Sequence, residues 1–223
     1  MEKKVSINTF AANDVKKLDL RIAAAEVRTE ETAGREIRVE ARNLQDGRYT
    51  CELRAGKLVI HYKMEGVVHL HRFGQNEAEM IIYLPADLSL EHAVLEIGAG
   101  SLYLDAVPVT CENMDVEIGA GKTKMKGVTT GGLNVECGVG SCVYEGRVNG
   151  DIKVNCGVGN CSFQLENKEG DFNYDVSCAV GNVRINGNRL KGLASKKSYK
   201  NESALGTAIL ECGVGNIEFR TKI

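Results

Sequence analysis

Two short segments, CGVGSC at 137–142 and CGVGNC at 156–161, each carry a pair of cysteines separated by four residues, and thirteen residues lie between the pairs. Read along the chain, Cys137, Cys142, Cys156 and Cys161 approximate the ligand spacing of a four-cysteine zinc site. A third segment, GAGKT at 119–123, ends like a phosphate-cradling P-loop. That motif needs an earlier glycine, which would fall at position 116, and the residue there is valine. The TKMKGVTTGG that follows has no helical period, so the helix N-terminus that would hold a phosphate is missing as well. Nucleotide binding is not expected. The sequence HLH puts His69 and His71 on one face of a strand, where they read as an exposed pair. With His61 and His92 they all precede the cysteine-rich half, which leaves the thiols without a base for nucleophilic chemistry.

The elements that position these residues repeat. LEIGAGSLYL (95–104), VEIGAGKTKM (116–125), VECGVGSCVY (135–144), VNCGVGNCSF (154–163), VSCAVGNVRI (176–185) and LECGVGNIEF (210–219) are one phrase said six times. The first glycine falls at 98, 119, 138, 157 and 213, with Ala179 replacing it in the fifth copy, so successive spacings are 21, 19, 19, 22 and 34 residues. The long gap holds an insertion at 188–207 whose Lys, Ser and Gly content reads as an exposed loop.

Each copy alternates with the period of a strand. Leu95, Ile97 and Ala99 are expected to face inward and Glu96, Gly98 and Gly100 outward, with a corner at Gly100–Ser101. Two strands, a corner and a return describe one coil of a single-stranded parallel β-helix, an all-β fold built here from coils of about 19–22 residues. Three inward columns follow: Ile97, Ile118, Cys137, Cys156, Cys178 and Cys212; Ala99, Ala120, Val139, Val158, Val180 and Val214; and Leu102, Thr123, Cys142, Cys161, Val183 and Ile217. The corner column of Ser101, Lys122, Ser141, Asn160, Asn182 and Asn216 is rich in residues that tolerate left-handed backbone. Stacking would set Cys137 about 5 Å from Cys156, close enough for a metal or a disulfide. Because Ile, Leu and Val fill the same columns elsewhere, the thiols read as small buried hydrophobes. No metal or other cofactor is therefore expected.

Residues 1–90 are less regular. LRIAAAEVRT (20–29) and CELRAGKLVI (51–60) carry weaker versions of the phrase, the latter with Cys51, Leu53, Ala55, Gly56, Leu58 and Ile60 in its columns. They read as irregular β coils or a cap continuous with the regular part at 91–223, most simply as one domain. A separate domain bounded near Pro85–Leu90 is the alternative.

The 28 basic and 30 acidic residues nearly balance, which gives no electrostatic reason to expect nucleic acid or an anionic membrane as partner. The N-terminus lacks the apolar run of a secretory signal, and no segment is apolar enough to span a bilayer, so a cytoplasmic location with reduced thiols is expected.

From LDLRIAAAEV, through IIYLP, into the serial glycine-punctuated copies, the pattern over about residues 15–223 resembles a widespread bacterial family labelled "putative adhesin", whose members look like β-helices. The resemblance implies a structural motif without catalytic residues and a surface role, whereas no signal or anchor is expected in this chain. The expected function is accordingly non-enzymatic: a scaffold that binds a protein partner or itself. Two features would serve. One is an outward stripe of Gly98, Gly119, Gly138, Gly157 and Gly213 that gives one face almost no side chains. The other is an unpaired edge on the C-terminal coil, which would form a dimer or short filament. A carbohydrate-binding or carbohydrate-active flank and a metal- or redox-responsive role for the cysteine columns are the alternatives.

Overall fold

In the computed structural model the described residues are 5–45, 47–63, 78–189 and 195–222, so His69 and His71 lie outside them. Regular structure there is all β, apart from single 3-10 turns at Ala12–Asp14 and Glu169–Asp171. Among the described residues the strands form one mixed, mostly parallel sheet of eighteen that does not close on itself.

The irregular N-terminal part contributes β1 (Val5–Ala11), β2 (Lys17–Thr32), β3 (Glu36–Arg42), β4 (Tyr49–Arg54), β5 (Lys57–Tyr62) and β6 (Glu79–Pro85). Strand β2 runs parallel to β7 (Leu88–Leu104), with Leu20 opposite Leu95, Ile22 opposite Ile97 and Val27 opposite Leu102. The phrase in 20–29 therefore occupies the columns expected of it. The phrase in 51–60 does not. Residues 51–60 fold back as an antiparallel hairpin of β4 and β5, turning on Ala55 (φ 47°) and Gly56 (φ 78°). Two consecutive left-handed residues make the tight turn that suits strand twist, so local turn chemistry overrides the repeat. Leu58 and Ile60 then lie opposite Leu18 and Leu20 of β2.

The later strands are β8 (Val109–Ile118), β9 (Lys122–Cys137), β10 (Ser141–Val148), β11 (Ile152–Cys156), β12 (Asn160–Lys168), β13 (Phe172–Cys178), β14 (Asn182–Ile185), β15 (Asn188–Arg189), β16 (Ser195–Tyr199), β17 (Gly206–Cys212) and β18 (Asn216–Lys222). Copies of the phrase pair in parallel and in register: Ile97 with Ile118, Ile118 with Cys137, and Cys137 with Cys156. Thereafter space departs from sequence. Cys156 pairs with Cys212, and Cys212 with Cys178, so the sixth copy lies between the fourth and the fifth.

This order corrects two expectations. The C-terminal copy is not an open end: β17 is paired by β11 and β13, and β18 by β12 and β14. The insertion at 188–207 is not simply a loop either. Asn186 (φ 48°) and Gly187 (φ 79°) turn β14 back onto β15, while β16 lies antiparallel on β13. The inserted residues thereby cover an edge that parallel pairing leaves free, and carry the chain back to place β17 inside.

The interior is apolar. The columns headed by Ile97 and by Leu102 are buried along their length, as expected. A further column runs Leu104, Met125, Tyr144, Phe163, Phe219 and Ile185 in spatial order. Its aromatic rings stack at 6.2 Å for Tyr144–Phe163 and 5.8 Å for Phe163–Phe219, so a chain poor in aromatics concentrates three of them in one line.

The bends explain the glycines. A Cβ at Gly98, Gly119, Gly138, Gly157 or Gly213 would come within 2.7–3.0 Å of the carbonyl oxygen of the neighbouring copy. At Gly140 it would strike the Gly121 carbonyl and lie 2.7 Å from Ile118 Cγ2. Neighbouring bends are held by backbone bonds at this separation, Val139 N donating to Gly119 O at 2.9 Å and Val158 N to Gly138 O at 2.8 Å. We expect Gly140→Ala to cost roughly 1–3 kcal/mol through forced displacement, and Val139→Ala, whose side chain is exposed, to be near neutral. Urea unfolding of both variants checks this; equal midpoints would contradict it.

Candidate functional site

The bend places a side chain where the sequence reading did not. Val139, Val158, Val180 and Val214 are 69%, 57%, 63% and 60% exposed, not interior. The cause is an earlier turn: the chain bends over the whole Gly-Val-Gly unit, 138–140 and 157–159, before the next strand begins at Ser141 or Asn160. Inward positions therefore resume at Cys142 and Cys161, and the central valine is left outside. In spatial order Val139, Val158, Val214 and Val180 stand on consecutive hydrogen-bonded bends and form an exposed aliphatic ridge. Of the glycines beside it, Gly98, Gly119 and Gly138 are exposed, and Gly157 and Gly213 are half-buried.

On one flank Asn182 Nδ2 donates to Asn216 Oδ1 at 2.9 Å, and Asn216 Nδ2 to Asn160 Oδ1 at 2.7 Å. None of these asparagines has a positive φ, so the corner column works as a side-chain ladder rather than by left-handed backbone. Lys122 is the exposed member of that column in the GAGKT segment. On the other flank stand the exposed carboxylates Glu117, Glu136 and Glu211, while Glu96 accepts from Arg21 Nη1 at 3.0 Å.

Outward positions past the bend pair off as ions: Lys124 Nζ lies 2.8 Å from Asp105, and Arg184 Nη1 3.7 Å from Glu218. Near the N-terminal strands, Arg21 Nε donates to Asp19 Oδ1 at 2.8 Å, with His61 Nε2 3.1 Å away. Burial opposes the Asp19 charge, but Arg21 and His61 outweigh it and hold the carboxyl below its usual range. His92 Nε2 stands 2.7 Å from Asp115 Oδ2. Both histidines are thus engaged with carboxylates and distant in register from the cysteine columns.

The four cysteines singled out by spacing are only partly brought together. Sγ atoms of Cys137, Cys156 and Cys161 lie within 4.8 Å of one another, and Cys142 stands outside that group. A tetrahedral four-cysteine site is therefore not what these residues form. The sequence also does not reveal that Cys137, Cys156, Cys212 and Cys178 make one continuous column, because that depends on the exchanged order of the last two copies. A local role is visible as well. Cys156 S–H donates to Gly159 O at 3.1 Å and Cys212 S–H to Gly215 O at 3.0 Å, each thiol tying the far side of its own bend.

No family model matches the chain, and no curated protein matches it. Solved structures are similar over nearly the whole chain. A "putative cell adhesion protein" from Clostridium sporogenes is 15% identical, covering 99% of this chain and 100% of its own, with a TM-score of 0.49. A "putative adhesin" from Parabacteroides distasonis is 12% identical over 98% and 97%, at 0.37. Another from Bacteroides fragilis is 10% identical over 98% and 97%, at 0.34. All three lie below a TM-score of 0.5.

The buried thiols set a pH dependence. Burial pushes Cys111 up to about 11 and Cys212 up to about 12 from an ordinary 9.0. Below about pH 9 both folded and unfolded chains keep these protons, and the stabilisation is intact. Above it the unfolded chain releases them while the folded chain holds them, so stability falls as pH rises toward 11 and 12. The urea midpoint should be lower at pH 10.5 than at pH 8; a flat or rising midpoint would be inconsistent with these burials.

Proposed function

We propose that the chain is a single-stranded parallel β-helix serving as a non-enzymatic scaffold, and that it binds a protein partner along the valine ridge and the glycine stripe beside it. In-register parallel pairing between copies, from Leu20 and Leu95 through Val116, Val135, Val154 and Leu210 to Val176, supports the winding. The observation that carries the function is the ridge itself. Four exposed valines on successive bends form an apolar line where monomeric surfaces usually scatter such residues singly. Repetition at about 4.8 Å makes the face periodic and rigid, which suits an extended strand or a flat surface as partner.

Charge sets the complementary chemistry. Glu117, Glu136 and Glu211 along one side favour a partner whose apolar stripe is rimmed by Lys or Arg. In the asparagine ladder on the other side, Asn216 both donates and accepts along the line. The apolar contact would supply the affinity and the carboxylates the orientation.

Val158→Asp with Val214→Asp puts two charges into the centre of the ridge without touching the core. Captures from source-cell extract by the wild-type protein and by this double variant should differ by a specific protein present only with the former, while circular dichroism and thermal midpoint stay close. Loss of the same captured protein on Glu136→Lys would support the charged rim. A partner retained equally by wild type and by the aspartate variant would remove the ridge as the binding face.

A further inference from the structure

Three sulfur atoms converge in the interior. Cys137 and Cys156 are paired in register on adjacent strands, and Cys161 faces them across the bend that ends β11, with all three Sγ atoms within 4.8 Å of one another. Each residue is at most 3% exposed. We propose that Cys137, Cys156 and Cys161 form a trigonal all-sulfur site for a soft monovalent cation, copper(I).

The donor set decides the ion. Thiolates are soft ligands and select soft metals over magnesium, calcium or manganese. Structural zinc takes four ligands in a tetrahedron, and the fourth cysteine suggested by spacing, Cys142, stands outside the group. Soft sulfur donors select copper(I), which does not demand the fourth ligand that structural zinc takes. Ile118 and Ile217 adjoin the thiols in their columns and offer no competing oxygen or nitrogen side-chain ligand.

Two further features bear on these columns. Thr123 lies two copies from Cys161 in the same column, beyond Cys142, and buries a hydroxyl with no hydrogen-bond partner. A Cβ at Gly159 would lie 2.8 Å from Cys137 Sγ, so bare backbone, without a side chain, stands over that sulfur at the bend. On binding, the ion takes the place of the thiol protons, which pass to solvent, and the metal keeps its oxidation state.

The proposal is independent of the partner-binding reading, and its test does not involve the ridge. Reduced protein is titrated under anaerobic conditions with copper(I) bicinchoninate, both in the native state and after refolding in its presence. One equivalent per chain should pass to the protein, and copper X-ray absorption should report three sulfur neighbours. Cys161→Val, a change the column tolerates because Val183 occupies it elsewhere, should abolish the transfer. Cys111→Val, outside the group, should leave it intact. Failure of the wild-type chain to take copper by either route would overturn the site, as would equal uptake by Cys161→Val or a two-sulfur coordination sphere.

Discussion

The backbone hydrogen bonds that tie each bend to the next constrain everything else. Val139 N to Gly119 O, Val158 N to Gly138 O, Val214 N to Gly157 O and Val180 N to Gly213 O hold successive bends at strand separation. Where two chains turn together at that distance, there is no room for a Cβ pointing along the stack. Glycine, replaced by alanine at Ala179, is then a condition of pairing rather than a sign of flexibility. The same bonds fix the register, and register decides which side chains meet. Cysteine falls on cysteine, ring on ring and asparagine on asparagine because the bends hold them there.

Filling follows from that constraint. An interior lined by parallel columns presents each layer with nearly the same space, so similar volumes recur along a column. Ile97 and Ile118 give way to thiols at Cys137 and beyond, and Leu104 and Met125 give way to Tyr144, Phe163 and Phe219. The two changes occur over the same copies, slim residues in one column accompanying rings in another, as close packing requires. Two buried polar side chains find backbone partners. Asn167 accepts from Val148 N at 3.0 Å and donates to Val148 O at 2.8 Å, acting as a missing strand partner would. Tyr144 Oη lies 3.0 Å from the Val128 carbonyl.

Much of this was legible in the residues. Six copies of one phrase carry the strand alternation, the bend and two of the three inward columns. What was not legible has physical causes. The valines look interior because alternation continued through the bend would put them there, and only the three-residue turn moves them outside. The order of the last two copies is invisible because all copies carry the same pairing information; the choice rests on where the insertion travels. The hairpin at 49–62 shares the hydrophobic pattern of the phrase, but Ala55 and Gly56 adopt left-handed conformations that reverse the chain. The thiol group was legible as four residues and is three, with Cys142 standing outside it.

Ridge, cysteine column and aromatic line all inherit the stacking order. Paired cysteines on the ridge test it directly. In Val158→Cys with Val214→Cys the two side chains stand on adjacent bends, within the span a disulfide can bridge, and mild oxidation should cross-link them intramolecularly. In Val158→Cys with Val180→Cys a whole copy intervenes, and no such link should form. Mass spectrometry after proteolysis reads both. A link forming readily between positions 158 and 180, with none between 158 and 214, would show that the copies stack in sequence order and would contradict the account.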